Sequence, residues 1–181
     1  RLARGERPSL GHRAIVIGGG NTAMDAARSA VRLGVKEVIV AYRRTRQEMP
    51  AQPVEIDEAI EEGVNIQFLT APVSIAASGG ELSLACVKMA LGEPDASGRR
   101  RPVPQPGSEF TLTATTIISA IGQTVDSPCL GDAALVDKRG NVAVDRKTLQ
   151  SALPWVFAGG DCVTGPDIAI AAIGAGKRAA A

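Results

Sequence analysis

The residues best suited to bind a ligand are a run of glycines that follows a short apolar segment. Gly18-Gly19-Gly20-Asn21-Thr22-Ala23 fits the pattern G-x-G-x-x-A and comes directly after Arg13-Ala14-Ile15-Val16-Ile17. In such a loop Gly18 permits a tight turn, Gly20 lets the backbone approach a pyrophosphate, and the small Ala23 allows close packing of helix on strand. Free N–H groups at the start of the next helix would face the phosphates. The pattern predicts a dinucleotide-binding loop; the alternative is a glycine turn that binds nothing.

The end of the next predicted strand indicates which dinucleotide is preferred. Sites for NAD usually have an acidic residue there, about 20 residues after the glycines, which holds the ribose hydroxyls. Here the chain reads Ala41-Tyr42-Arg43-Arg44-Thr45-Arg46, without an acid. A guanidinium offers several donors to a phosphate, whereas a carboxylate would repel the 2′-phosphate of NADPH. We therefore predict NADPH over NADH, with a solvated surface loop as the alternative.

A second strand end combines glycines with an acidic residue. Val156-Phe157-Ala158-Gly159-Gly160-Asp161 is followed by Thr164-Gly165-Pro166 and a predicted helix. The carboxylate could accept hydrogen bonds from a ribityl or ribose hydroxyl, and the helix N–H groups could meet another phosphate. Asp161 could equally satisfy amides of its own loop. Both interpretations stay open at this point.

The elements around the first loop predict an α/β fold. A helix is expected over 21–33, strands over 36–42 and 64–69, and a further helix over 50–63. The short connections predict parallel strands with right-handed crossovers. After Pro72 the pattern changes to strand-like segments at 73–77, 82–90 and 109–115, with a Gly/Pro/Arg-rich loop at 92–107. These segments predict an antiparallel meander.

A boundary is expected near Gly122, after another buried strand at 116–121. Beyond it we predict short strands at 141–144 and 155–158 and a terminal helix from about Pro166. The chain starts with Arg1 and ends in residues 176–181, which are typical of a helix still in progress, so we expect a piece of a longer protein.

Composition excludes several classes of function. The 20 Lys and Arg residues nearly balance the 19 Asp and Glu residues, so no positive field exists to attract nucleic acid or an anionic membrane. The basic residues cluster at only two places, 43–46 and 99–101, and the second cluster is expected to be solvated. No apolar run approaches the roughly 20 residues of a membrane span. We therefore expect neither nucleic acid nor a membrane as a partner.

The sulphur and imidazole groups predict no metal site. Cys86, Cys129 and Cys162 stand far apart without a C-x-x-C, and His12 is the one histidine among 181 residues. A zinc knuckle, a local redox pair and a Ser-His-Asp triad are thereby excluded. Such cysteine usage is typical of a reduced, cytoplasmic protein.

Five segments together resemble a known family. They resemble the small (β) subunit of glutamate synthase and the flavin-reductase part of dihydropyrimidine dehydrogenase, over nearly the whole chain except 92–107. The matching segments are Ile17–Asp25, Tyr42-Arg43-Arg44, Glu48-Met49-Pro50-Ala51, Ala120-Ile121-Gly122-Gln123 and Ala158–Pro166.

The resemblance implies a domain organisation and a set of binding residues. It implies a connector at 1–12, a Rossmann-like three-layer NADPH domain with a parallel sheet and a β-meander at 13–120, and the C-terminal part of an FAD-binding domain at 121–181. The glycine loop of that FAD domain is not in this sequence. The implied contacts are Gly18, Gly19, Gly20, Asn21, Thr22 and Ala23 at the pyrophosphate, Arg43 and Arg44 at the 2′-phosphate, Ile121, Gly122 and Gln123 near the nicotinamide and flavin, Gly160 and Asp161 at the FAD ribityl-phosphate, and Thr164 near the isoalloxazine.

One position departs from the related thioredoxin reductases. They carry a further arginine a few positions after the Arg pair, where this chain has Glu48. Whether Arg46 takes that place is left open.

The resemblance also implies a reaction. Hydride passes from NADPH to FAD, and electrons continue to iron–sulphur clusters and a larger catalytic subunit or domain. Because the cofactors carry this chemistry, no catalytic side chain is assigned. The piece alone is expected to be inactive, and its final electron acceptor is left open. The alternatives are a non-catalytic nucleotide-binding or electron-transfer scaffold and, disfavoured by the lack of C-x-x-C, a disulfide reductase of the thioredoxin-reductase type.

Overall fold

The computed structural model describes residues 5–95, 98–127, 130–131 and 135–180. The chain divides into two compact units, Arg1–Ile121 and Gly122–Ala181. The predicted domain bounds and the assignment of these units to NADPH and FAD domains remain predictions. In the described part of the chain, no helix has the length and apolar character needed to cross a membrane.

The first unit is built on a parallel sheet. Its strands lie in the order β3-β2-β1-β7 and its two longer helices, α1 and α2, connect the first three strands; the elements are β1 (Arg13–Ile17), α1 (Asn21–Arg32), β2 (Glu37–Ala41), α2 (Pro53–Glu61), β3 (Asn65–Gln67) and β7 (Thr116–Ser119). All three strand pairs are parallel, which confirms the predicted β-α-β unit. The chain moves from β1 to β3 in one direction, and β7 lies on the other side of β1. The carboxyl ends of β1 and β7 therefore form a topological switch point, where such sheets bind ligands.

Both faces of the parallel sheet are covered. On one face, Val16 and Val40 pack with the alanines of α1, and Ala23, Ala27 and Ala30 are fully buried because small side chains let the helix lie close to the strands. On the other face, apolar residues of β1 and β2 pack against the antiparallel meander; this second cluster comprises Ile15, Ile17, Ile39, Ala41, Leu84, Cys86 and Ala114. The three-layer arrangement is thereby confirmed.

The meander is confirmed as antiparallel, but its strands are longer than expected. It has the order β4-β5-β6, with β4 (Thr70–Ser78), β5 (Glu81–Pro94) and β6 (Arg100–Ala114). The predicted loop over 92–107 is wrong, because most of it belongs to the β5–β6 hairpin. Pro102, Pro104 and Pro106 stand at every second position of an edge strand, where a missing N–H can face away from the neighbouring strand.

The described residues of the second unit form little regular structure. Its helices are α3 (Asp161–Thr164) and α4 (Ala169–Ala179), so the predicted terminal helix is confirmed but starts later. The predicted strands at 141–144 and 155–158 are wrong: they take part only in the isolated bridges Val136–Val142 and Gln150–Phe157. A strand forms only beside a partner of similar length, and the described residues of this unit provide none.

Candidate dinucleotide-binding site

Gly18 joins the ends of three strands. Its N–H donates to the Ala41 carbonyl at 3.2 Å, which ties the loop after β1 to the end of β2. Its φ is +146°, and a Cβ at this position would lie 2.3 Å from the Ala120 carbonyl oxygen just after β7. A backbone oxygen cannot move aside easily, so the fold itself requires glycine here.

Gly19 makes room for the ring of Tyr42. A Cβ on Gly19 would lie 2.5 Å from that ring, which is buried just after β2. The Tyr42 hydroxyl donates to the Glu48 carbonyl at 2.6 Å and so holds the following loop against the glycines. The second glycine of the run is therefore also explained by packing within the chain.

Gly20 is not required by the chain. Its backbone is extended, with φ −92° and ψ 178°, a conformation that any residue adopts. A Cβ there would approach only the Pro50 Cγ, at an ordinary 3.9 Å. Gly20 is also the N-cap of α1 and contributes no capping side chain, although Ser, Thr, Asp or Asn would stabilise the helix start better. The space above Gly20 is therefore not filled by the described residues.

Backbone donors line that space. The N–H groups of Ala23 and Met24 bond to the Gly20 carbonyl. Within the described residues, the N–H groups of Gly20, Asn21 and Thr22 have no acceptor. They stand at the positive end of a helix of 12 residues whose first turn carries no acidic side chain. This arrangement can bind a phosphate.

The segment 49–52 supports the glycine loop from the side. The Ala51 N–H donates to the Gly19 carbonyl at 3.1 Å, and the Gln52 N–H donates to Asn21 Oδ1 at 2.9 Å. Asn21 is exposed and keeps its amide NH₂ group for other partners. The sequence shows Glu48–Ala51 as a motif but predicts no role for it. Its contact with the glycine loop exists only once α1 and α2 lie side by side in the fold.

The arginines after β2 are not equivalent. Arg43 is exposed and forms no hydrogen bond or ion pair with the described residues. Arg44 is buried and ion-paired with Asp95 at 2.9 Å. Arg46 is exposed and pairs with Asp57 of α2 at 2.6 Å. Of the two residues predicted at the 2′-phosphate, Arg43 has a guanidinium that is open to solvent and Arg44 is held by the protein.

Glu48 turns back into its own loop. It closes a capping box over a short 3₁₀ helix, Arg46–Glu48, in which Thr45 donates to it through both its hydroxyl and its backbone N–H. The Thr45 hydroxyl and, to a lesser extent, backbone N–H groups lower the pKa of this buried carboxyl below its ordinary value. The residue at the position of the further arginine in thioredoxin reductases therefore has a structural role in this loop.

A groove beside α1 does not match a phosphate. It has a volume of about 370 Å³ and is mostly apolar, with Leu10, Ala26 and Ile118 among its walls and Asp25 as a charged group. An anion gains nothing from such a lining, so the phosphate-binding candidate is the helix start and not this groove.

The other predicted contacts lie after β7 and in the second unit. Ile121 lies two residues after β7 and is 75% exposed. Gly122, with φ +101°, and Gln123 are also exposed. These three positions stay predictions.

The second glycine-rich segment, predicted to follow a strand, has its own local geometry. Gly160, with φ +75°, is the N-cap of α3, and the Thr164 hydroxyl donates to its carbonyl at 3.2 Å. Asp161 is exposed and accepts a hydrogen bond from the Asp167 N–H at 3.2 Å. The structure thus brings Gly160, Asp161 and Thr164 together and shows Asp161 satisfying a loop amide. Their contact with FAD remains a prediction.

The thiols and the histidine lie apart from the glycine loop. Cys86 is in the core, where burial raises the pKa of its thiol. Cys162 is half-buried with its Sγ 3.3 Å from the Gly159 carbonyl oxygen, and Cys129 lies outside the described residues. His12 is exposed. Over the described ranges, no group of at least three His, Cys, Asp and Glu residues is placed to hold a metal ion.

Comparison with known proteins places this geometry in a family. A family model described as pyridine nucleotide-disulphide oxidoreductase matches residues 1–176. The β subunit of the NADP(+)-dependent formate dehydrogenase of Moorella thermoacetica is 49% identical over 96% of this chain and 25% of its own length. The β subunit of the NADPH-Fe(3+) oxidoreductase of Geobacter sulfurreducens is 41% identical over 97% of this chain and 30% of its own. The small chain of Escherichia coli glutamate synthase [NADPH] is 39% identical over 94% of this chain and 38% of its own.

Solved structures show the same fold. The thioredoxin reductase of T. acidophilum superposes with a TM-score of 0.73 at 22% identity, over 94% of this chain and 51% of that one. The chain spans between a quarter and two fifths of the length of the curated relatives described above. The matched family model, the relatives and the three-layer fold agree, and the chain belongs to the pyridine nucleotide-disulphide oxidoreductases, a family of NAD(P)-dependent flavin oxidoreductases.

Proposed function

We propose that this chain binds NADPH at its glycine loop and serves as the electron-entry module of a longer flavoprotein. The observation that carries the proposal is the start of α1. Gly18 and Gly19 are explained by contacts within the chain, whereas Gly20 has open space where a Cβ would be, next to backbone N–H groups without acceptors. A glycine that the chain does not need, beside unsatisfied donors, is explained by a pyrophosphate.

The arginines support NADPH as the preferred nucleotide. Arg43 is exposed just past β2, at the carboxyl edge of the sheet where the adenosine ribose lies in such folds. Its guanidinium can donate to a 2′-phosphate, and Arg46 keeps donors beyond its contact with Asp57. The names of the relatives from Moorella, Geobacter and Escherichia coli all specify NADP(+) or NADPH.

The second unit would hold part of the flavin. Gly160, Asp161 and Thr164 form a turn with an exposed carboxylate, which suits a ribityl hydroxyl. Bound NADPH supplies the hydride and bound FAD supplies its acceptor, and both are chemistry of the cofactors. The residues of this chain bind and orient: the start of α1 fixes the pyrophosphate, and Ile121, Gly122 and Gln123 would lie near the nicotinamide.

The final acceptor belongs to the rest of the protein or to a partner. Several relatives are named as a β subunit or a small chain, which supports a larger catalytic subunit or domain. We extend the proposal to iron–sulphur clusters outside this chain, as in a glutamate synthase small subunit, and to the cytoplasm, where unpaired thiols are typical. The names of these relatives specify different reactions but all include NADP(+) or NADPH. We therefore assign to this chain the binding of NADPH for hydride transfer to FAD, and not the reduction of a particular final acceptor.

The alternatives make different predictions for the same protein. A nucleotide-binding scaffold would bind NADPH but would not bleach FAD with it in the longer flavoprotein. A disulfide reductase of the thioredoxin-reductase type would need a C-x-x-C in its NADPH domain, and residues 13–120 contain none. The likeness to thioredoxin reductases, at 22% identity, concerns the fold.

The test is calorimetric titration of the chain with NADPH and with NADH. We expect tighter binding of NADPH, a loss of about tenfold in its affinity in Arg43→Ala, as for one charged hydrogen-bond donor, and NADH-like affinity in Arg43→Ala with Arg44→Ala. Arg146→Ala is the matched control, since Arg146 is an exposed arginine in the second unit. Absence of binding by the folded chain would contradict nucleotide binding, and equal affinities would contradict only the preference for NADPH.

A further inference from the structure

The end of β2 has a carboxylate beside it that comes from a distant part of the chain. The run 41–46 contains no acid, but Asp95, at the tip of the β5–β6 hairpin, has its Oδ2 2.9 Å from Arg44 Nη2. From the same tip, the Arg100 carbonyl accepts a hydrogen bond from Arg44 Nε at 2.7 Å. The hairpin therefore closes over Arg44.

Arg44 is held at both its ends. Its carbonyl accepts a hydrogen bond from the Leu69 N–H at 3.0 Å, and Leu69 itself has a positive φ of 54°, which is unusual for a residue other than glycine. The Arg44 side chain is 7% exposed. A phosphate that bonds to Arg44 Nη2 must therefore compete with Asp95.

Asp95 changes the charge that a ligand meets. Paired with Asp95, Arg44 contributes almost no net positive charge, and Arg43 is the neighbouring guanidinium without a partner among the described residues. A carboxylate at this edge repels a phosphate, and it is the group that accepts ribose hydroxyls in sites for NAD. The hairpin thus brings to the end of β2 a carboxylate, the group that the run 41–46 lacks.

We propose that Asp95 is a specificity-determining residue that reduces the preference of this site for NADPH over NADH. It does so by holding the Arg44 guanidinium and by placing a negative charge beside the 2′-phosphate. The inference rests on the proposed nucleotide function, and it explains why two adjacent arginines do not act as two equal phosphate ligands.

The test is Asp95→Asn in the full chain, titrated with NADPH and with NADH. Asparagine keeps an oxygen that can accept from Arg44 but removes the charge. NADPH affinity should rise about tenfold, because Arg44 is no longer ion-paired with a carboxylate and can donate a charged hydrogen bond to the 2′-phosphate. NADH has no 2′-phosphate, so its affinity should stay equal or fall. Glu109→Gln is the control, because Glu109 is an exposed acid on the same hairpin, opposite Val87 and far along the strands from Asp95.

A second variant shows whether the gain passes through Arg44. In an Arg44→Gln background, Asp95→Asn should bring a clearly smaller gain, because only the repulsion by the Asp95 carboxylate is removed and no guanidinium remains to be released. Both variants are also followed by thermal unfolding, and the ratio of the two nucleotide affinities is the deciding quantity, because a purely structural role of Asp95 would not change it.

The outcomes separate this inference from the proposed function. An unchanged ratio in Asp95→Asn, or a loss of NADPH affinity, would overturn the role of Asp95 while NADPH binding stands. An equal gain in the Arg44→Gln background would overturn the part of that role that acts by holding Arg44. A folded wild-type chain that binds neither nucleotide would overturn the proposed function, and the inference with it.

Discussion

The two units of this chain each contain a glycine-rich turn at the start of a helix, in two different surroundings. In the first unit, β1 and β2 are buried on both faces, and Ile15 and Val16 are fully inaccessible. In the second, Trp155 is 76% exposed and Ile170 is 65% exposed, although both are large apolar residues. The first unit builds its own core, whereas the second leaves much of its apolar surface uncovered. A local motif therefore does not by itself show whether a site is complete.

The glycines repeat this difference in detail. Cβ atoms at Gly159 and Gly160 would lie 2.7 Å from the Ala175 Cβ and 3.0 Å from the Ala172 Cβ of α4. Both glycines are therefore explained by a helix packed on their turn, as Gly18 and Gly19 are explained by β7 and Tyr42. Gly20 differs from these four, because an ordinary van der Waals distance separates its Cβ position from the chain. This contrast supports the proposal that Gly20 lies against a ligand.

The largest expected effect is on the free energy of unfolding, and it is seen by truncating one isoleucine in each unit. Ile15→Ala empties a fully buried position between the sheet and the meander, and it should lower the free energy of unfolding by about 3 kcal/mol. Ile170→Ala removes a side chain that is 65% exposed and should change it by less than about 0.5 kcal/mol. Urea unfolding followed by circular dichroism measures both. Equal losses would mean that the second unit also contains a core that stabilises the chain.

The next comparison separates a glycine required by the fold from one required by the ligand. Gly18→Ala places a Cβ against the Ala120 carbonyl and strains a positive φ, so it should cost about 2 kcal/mol of stability. Gly20→Ala should leave the urea midpoint nearly unchanged and weaken NADPH binding, because its Cβ enters the space next to the free N–H groups. If Gly20→Ala binds NADPH as the wild type does, the pyrophosphate does not lie at this position.

The smallest expected effect is on the pKa values of two acidic residues, one in each unit, that accept hydrogen bonds from different kinds of partner. Hydrogen bonds from Arg32, and then from Arg28, together with their charges, outweigh partial burial and lower the pKa of Glu62 from 4.5 to about 2. Asp145 has its pKa lowered by the N–H groups of Thr148 and Lys147. Salt screens charges but not backbone hydrogen bonds. We expect the pKa of Glu62, followed by NMR, to rise in about 1 M NaCl more than that of Asp145.

The same shift has a consequence for stability against pH. A carboxyl with a lowered pKa in the folded state stabilises the protein above its ordinary pKa, and the contribution is lost as pH falls. For Glu62 the loss should occur between pH 4.5 and about 2. The stability difference between the wild type and Glu62→Gln should therefore be constant near neutrality and shrink across that interval. A difference that is independent of pH would contradict the ion pairs with Arg28 and Arg32.

Several elements could be predicted because their signals are local. The helix after the glycine loop was predicted over 21–33 and lies at Asn21–Arg32, since small apolar residues recur at helical spacing and Gly34 ends the pattern. The hairpin over 92–107 was missed because prolines normally end strands. The second unit was predicted with strands that do not form, because apolar runs indicate burial but not the presence of a neighbouring strand.

The sequence by itself determined the glycine loop, the parallel β-α-β unit and the meander, because spacing along the chain sets which groups a turn, a helix or a strand presents. Only the tertiary structure decided which of the two adjacent arginines is ion-paired within the protein. Arg43 and Arg44 are adjacent and chemically identical, but successive side chains after a strand point to opposite sides, and Arg44 meets Asp95 from a hairpin 51 residues away. Ion pairs form between charges that are close in space, and the separation of two residues along the sequence does not predict that distance.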